Sequence, residues 1–562
     1  MMFRLRKTLS LLTVAVSLCF SLVGVQTDQP KAQTRPRLMV LLIVDGLAQH
    51  QLLQAHGRMV NGGLSRILDQ GAWFTEAHYG FATTFTAAGH ATVATGAYPY
   101  RHGLIANDWM EQGQRVYCVE DPKHTYLGQP TAEHAGTSPR NLRSWTLADQ
   151  LRLATGFLSR VVSVSIKDRG AILPAGKTGT AYWYSSQSGR FITSSYYRQD
   201  YPDWWQQFHR ENPQNKWFKR EWTRSSEAGT YPFAIPDGRD WQLDYKGLGT
   251  RFPFKLSGKT GEMGPDYYSM LTRTPFGDEY TLQFAKAAVE GEQLGKNPAG
   301  VPDLLCISLS SHDYINHIFG PESIQAFDHL VKLDAMMADF LDFVDKSAGP
   351  GNVLVALTAD HGFAPSPEYL RSLRLDSGRL DPARLLADLN RHLDGRFGAG
   401  PYVKAWWNPT FYFDSDRIRS RNLEQAAVET EAASWLRSQP GIACVYTRSQ
   451  LQNGQLPDTE IARKIMRSWS PIRSGDVFVV ASPFWYLPTE RDDVNAATHG
   501  SPHGYDTNVP IVLFGGRVKA GRYPGKADVI DLIPTVAHLL SIPAPDGAEG
   551  RVLIEALENG GR

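Results

Sequence analysis

Residues 38–46 read LMVLLIVDG, a run of seven apolar residues, Leu38–Val44, closed by Asp45 and Gly46. A run without polar interruption has no face to offer water, so it predicts a strand buried on both sides, as at the centre of a parallel sheet. The pattern returns three times. Residues 304–309 (LLCISL) lead into SSHD, Val353–Thr358 (VLVALT) leads to Asp360 and His361, and 161–166 (VVSVSI) leads into Lys167, Asp168 and Arg169. In open α/β sheets, sites form beyond the carboxyl ends of the strands, so the acidic and imidazole groups at three of these ends, those of 38–44, 304–309 and 353–358, describe one convergent site. The predicted fold class is therefore α/β, with a largely parallel central sheet, helices on both faces and cap insertions. A strand at 511–514 and a helix at 529–540 close the fold.

The 562 residues, 42% hydrophobic and 20% charged, supply ample material for a large core. A formal net charge of +1 with no Lys/Arg run gives no footprint for nucleic acid or an anionic membrane, so any anion is recognised locally. At the N-terminus Arg4, Arg6 and Lys7 precede an apolar run over 9–25, which reads as a signal peptide over 1–27 and an exported, periplasmic or secreted protein. Cys19 lacks the neighbours of a lipid-modified cysteine, and no later run approaches the ~20 residues needed to span a bilayer. Cys118, Cys306 and Cys444 are too few for a disulfide framework, although one bridge stays open, and Cys306 reads as a small buried hydrophobe. The catalytic domain is expected over 36–556. Two insertions are expected within it: 177–265, whose Trp183, Trp204, Trp205, Trp217, Trp222 and Trp241 suggest a self-packed cap rather than a sheet strand, and 366–497, with strand-like pieces at Thr410–Phe413 and 476–481.

Residues 83–96, TTFTAAGHATVATG, place the Thr86 hydroxyl ahead of small residues and a helix-forming run. There, unpaired N–H groups and the positive end of the helix dipole favour an alkoxide or a phosphoryl oxygen. A threonine N-cap is the plainer explanation for Thr86 alone. The remaining polar residues argue otherwise. Asp313 and His317, four apart, share one face of a helix, which is a metal-ligand spacing. Asp360, His361, Asp45 and His499 add to the set, and carboxylates around a cation escape the cost of isolated burial. Lys167 and Arg169, two apart in extended chain, would point together while Asp168 points away.

The succession VDG, T-x-x-G-H-x-x-x-x-T-G, D-x-x-x-H-x-x-G-P, T-A-D-H-G and a late H-G-S resembles the alkaline phosphatase superfamily. Asn107 together with SIKDRGAILPAG (165–176) resembles its bacterial alkaline phosphatases with a threonine nucleophile. The resemblance runs from Asp45 to the last helix. It implies an alkaline phosphatase-like fold and two zinc ions, one on Asp313, His317 and His499, the other on Asp45, Asp360 and His361 with Thr86. It also implies that Asn107, Lys167 and Arg169 hold the phosphoryl oxygens, with Lys167 standing where some relatives place magnesium. His499 is preferred to His503 because THGS fits the pattern, and His90, His102 and His312 are read as supporting or surface groups.

The function expected is a zinc-dependent phosphomonoesterase acting through a phosphothreonine at Thr86 on small phosphate monoesters, with inorganic phosphate as product. A phosphodiesterase or nucleotide pyrophosphatase of the same superfamily is the alternative. The Lys167/Arg169 pair disfavours it, since two extra cations suit a dianionic terminal phosphoryl group. No C/S-x-P-x-R segment supports a sulfatase, and a zinc-dependent binding protein would hold metal without turnover.

Overall fold

The structure, a computed structural model, describes residues 35–59, 62–225, 231, 234–488 and 495–558; the expected signal peptide at 1–27 lies outside them. In chain order the central strands are β1 (Leu38–Val44), β2 (Ala72–His78), β3 (Val161–Ser165), β4 (Thr180–Ser185), β5 (Arg190–Ile192), β6 (Asp303–Leu309) and β7 (Val353–Thr358). A separate group follows, β8 (Val403–Trp407), β9 (Thr410–Phe413), β10 (Ile442–Thr447) and β11 (Val477–Ala481), before β12 (Asn508–Phe514) and β13 (Gly521–Asp528) return to the centre. Nine strands make one sheet in the order β13-β2-β12-β7-β1-β6-β3-β4-β5.

The middle of that sheet, β7-β1-β6-β3-β4, is parallel throughout. β1, β6 and β7 are buried along their whole length, as uninterrupted apolar runs require. The antiparallel entries are β12, between β7 and β2, and the edge strand β5. The helices used below are α1 (Thr86–Thr95), α2 (Asp168–Ala175), α3 (Pro265–Leu271), α4 (Pro275–Gly291), α5 (Ser311–Phe319) and α6 (Ile324–Ala348).

Trp183 corrects the sequence reading, because it lies on β4, inside the central sheet rather than in a cap. This strand is aromatic because its side chains meet aromatic helix residues: Tyr182 packs on Phe284 at 5.4 Å and Tyr184 on Tyr280 at 6.1 Å between ring centres. Trp205, Trp217 and Trp222 are buried, in keeping with aromatics that pack rather than await a ligand. Between the central strands β7 and β12, strands β8-β9-β11-β10 form a four-stranded antiparallel sheet with its own apolar cluster, including Leu389, Phe411, Val428 and Val477. Cys118, Cys306 and Cys444 are all free thiols.

Two glycines set how closely the elements meet at the site. Gly46, at φ +72°, turns the chain out of β1 in a conformation that side chains disfavour. Gly89 lets α1 lie directly on the backbone of Asp360, where a Cβ would come 1.9 Å from the carbonyl oxygen.

Candidate active site

Thr86 is the first residue of α1, a helix whose ten residues are all buried. The adjacent Ala87 N–H, one of the unpaired donors at a helix start, donates to Asn107 Oδ1 at 2.9 Å. That bond fixes the amide of Asn107, leaving its NH2 group turned to the other side.

Lys167, at 4% exposure, lies at the carboxyl end of β3 and brings its ammonium to Asp45 Oδ2 at 2.8 Å, Asp313 Oδ2 at 2.6 Å and Thr86 Oγ1 at 3.5 Å. Burial alone would lower its pKa, but the Asp313 and Asp45 carboxylates outweigh it and hold Lys167 well above the usual lysine range. The extended-chain argument for Lys167 and Arg169 does not hold. The helix α2 begins at Asp168, so only Lys167 is extended (φ −80°, ψ 133°) and Arg169 departs from the first helical turn. Arg169 is aimed instead by Tyr117, a residue the sequence reading passed over. The Tyr117 hydroxyl accepts from Arg169 Nη1 at 3.2 Å and donates to Asp168 Oδ1 at 2.6 Å, while Asp168 Oδ2 accepts from Gly136 N at 3.1 Å.

Asp45, Asp360 and His361 form one fully buried group with a ligand atom of each within 4.8 Å of the others, and Asp313, His361 and His499 form a second. His317 adjoins the second group, its Nε2 3.4 Å from Asp313 Oδ1 against 3.6 Å for His499. His503 turns away, with Nε2 2.9 Å from the carbonyl of Ala481. The three imidazoles share one device: Nδ1 of His317, His361 and His499 lies 3.0, 2.9 and 2.8 Å from the backbone carbonyls of Ala497, Gly362 and Thr84. A carbonyl only accepts, so Nδ1 carries the hydrogen on each ring and Nε2 is the nitrogen turned toward the carboxylates.

The chemistry of this cluster asks for cations. Asp45 Oδ1, Asp313 Oδ1 and His361 Nε2 are buried without a hydrogen-bond partner. Three carboxylates face one ammonium, an imbalance that a low-dielectric site tolerates poorly. The strain shows at Asp45, whose carboxyl is pushed well above the usual range by burial and then by the charge of Asp360. Divalent ions on these O and N donors fit the set.

His90, His102 and His312 are fully buried behind the site. His90 spans Thr86 O at 2.8 Å, Ser308 Oγ at 2.8 Å and Asp360 Oδ2 at 3.1 Å. His102 is kept neutral, its pKa lowered to about 3 by burial and then by Arg473. His312 Nδ1 lies 3.2 Å from His329 Nδ1, whose Nε2 lies 3.0 Å from Asp278 Oδ2, tying α5 to α6 and α4.

Residues 39–506 match the type I phosphodiesterase / nucleotide pyrophosphatase family. The chain is 34% identical to alkaline phosphatase PhoV of Synechococcus elongatus, over 97% of this chain and 99% of that protein. It is also 34% identical to a protein of Myroides odoratus named a calcium-transporting ATPase, again over 97% and 99%. The crystal structure of wild-type alkaline phosphatase PafA superposes with a TM-score of 0.86 at 33% identity, covering 93% of this chain and 99% of that one. Among the described residues no helix is long and apolar enough to cross a membrane.

Proposed function

The chain belongs to the type I phosphodiesterase / nucleotide pyrophosphatase family, within the alkaline phosphatase superfamily, and on that premise we propose that it is a zinc-dependent phosphomonoesterase working through Thr86. The observation that carries the proposal is the meeting of the Thr86 hydroxyl and Lys167 with two buried Asp/His groups in which Asp45 Oδ1, Asp313 Oδ1 and His361 Nε2 lack hydrogen-bond partners. Asp45, Asp360 and His361 would hold one zinc beside Thr86, and Asp313, His317 and His499 the other. Two such ions supply a lowered hydroxyl pKa and compensation for charge on the departing oxygen.

The rest is done by the chain. Thr86 Oγ1 gives up its proton and bonds to phosphorus as the ester P–O bond breaks and the alcohol leaves. Water then attacks the phosphothreonine, the P–Oγ1 bond breaks, and inorganic phosphate departs with Thr86 restored. Two in-line displacements return the original configuration at phosphorus. The Asn107 amide, fixed through Ala87, and the Lys167 and Arg169 cations hold non-bridging oxygens, with Lys167 close enough to Thr86 to favour its alkoxide.

The family match keeps a diesterase as the second reading. A diester carries an organic group on one of the oxygens these cations would grip, so it gains less from them. Nitrophenol release from matched monoester, diester and sulfate substrates by zinc-loaded protein tests the choice: a monoester preference is expected, and a diester preference would reverse the two readings. The basic-then-apolar stretch at 4–25 supports export to the periplasm or beyond.

A further inference from the structure

Arg273 lies between α3 and α4, at a distance in sequence from every motif of the site. Its guanidinium carbon stands 4.1 Å from the ring centre of Tyr245 and 4.2 Å from that of Tyr314. Nη1 donates to Ser269 O at 3.0 Å and Thr272 Oγ1 at 2.7 Å, so the side chain is held in place before any ligand arrives. The residue is half-buried, and among the described residues it forms no ion pair with a carboxylate.

Tyr314 links this arginine to the chemistry. It follows Asp313 on α5, and Lys167 Nζ lies 5.0 Å from its ring centre. One aromatic ring therefore lies against both Lys167 and Arg273, placing Lys167 Nζ and the Arg273 guanidinium no more than about 9 Å apart. A short organic skeleton bridges such a span.

We propose that Arg273, clamped between Tyr245 and Tyr314, is an anion subsite that selects phosphate monoesters whose alcohol portion carries a second anionic group, a carboxylate or a further phosphate. The proposal rests on the phosphomonoesterase reading above. Arginine suits the task because its planar fork meets carboxylate and phosphate oxygens in pairs, and the two rings leave little freedom to be lost on binding. A purely structural arginine would use the same stack and the same bonds to Ser269 and Thr272, so the test must separate charge reading from support.

The test compares 4-nitrophenyl phosphate with the same ester bearing a ring carboxylate, using zinc-loaded parent, Arg273→Ala and Arg273→Lys, with melting curves for all three. Arg273→Ala is expected to lose roughly 10- to 100-fold in kcat/KM on the carboxylated ester, chiefly through KM, and far less on the plain ester. Arg273→Lys should recover part of that loss, and added salt should weaken the parent's preference for the carboxylated ester. Equal losses on both esters, or no loss on either, overturn the subsite while leaving the phosphomonoesterase reading intact. A parent that hydrolyses neither monoester removes that reading and the subsite with it.

Discussion

Thr86 is the residue on which the proposed chemistry depends. Thr86→Ala should lower turnover by about a thousandfold or more while keeping bound zinc, and acid quenching of the parent during turnover should trap phosphate on the peptide containing Thr86. Metal-replete Thr86→Ala with normal turnover would return Thr86 to the role of a helix start. Tyr117→Phe should release Arg169 and cut monoester kcat/KM about 10-fold, with a smaller loss on a matched diester; equal losses on both would show that Tyr117 supports structure alone. The residues at strand ends were legible because an apolar run ending in Asp or His is a local pattern: Asp45, Asp360 and Lys167 each follow their strand within two residues. Tyr117 and Arg273 were not, because what places them is a hairpin fold-back in one case and two rings far away in sequence in the other. The pairing of Lys167 with Arg169 failed for a definite reason: a helix begins between them, and side-chain alternation ends with the extended chain.

At the scale of elements, α1 and the β7 exit press together with no room to spare. Gly89→Ala would drive a methyl group into the Asp360 backbone, which cannot swing aside as a flexible side chain can, and is expected to cost about 3 kcal/mol or more and to loosen the zinc site proposed around Asp360. Melting temperature and zinc content check this, and an unchanged value of both would mean that α1 slides freely. A second junction joins the β8-β9 turn to the site's edge. Trp407 Nε1 and Asn408 Nδ2 each donate to Asp108 Oδ1 at 2.7 Å, next to Asn107, and Arg115 Nη2 holds Asp108 Oδ2 at 2.7 Å. The outlying sheet thus grips the residue beside an assigned phosphoryl ligand. The sequence showed two strand pieces there but not this grip, since hydrogen bonds across some 300 residues leave no periodicity behind. Strand β4 was misread for a related reason: aromatic side chains suit both a cap and a sheet facing aromatic helices, and only the partners decide.

For the whole molecule, stability should respond to pH through a group remote from the proposed ligands. Burial raises the Asp528 carboxyl to about 6, with the Tyr98 hydroxyl donating to it at 2.6 Å. A folded-state pKa above the unfolded value means that stability is present below about pH 4 and lost as pH rises through about 6, worth about 2–3 kcal/mol in all. Asp528→Asn should therefore gain melting temperature relative to the parent between pH 4 and 7, and a constant difference across that range would refute the assignment. Elemental analysis should find two zinc ions per chain and chelation should abolish turnover. Magnesium should be dispensable, because the Lys167 ammonium already bridges Asp45 and Asp313.

The carbonyls of Thr84, Gly362 and Ala497 make three stretches of main chain into parts of the site. Each sets the tautomer of its histidine through bonds that belong to the folded backbone alone. The orientation of each ring is thus written into the fold of three separate loops rather than left to the side chain. Loss of any one of these backbone bonds would free its ring to turn, so the geometry of the site depends on the loops that carry the three carbonyls as much as on the histidines themselves.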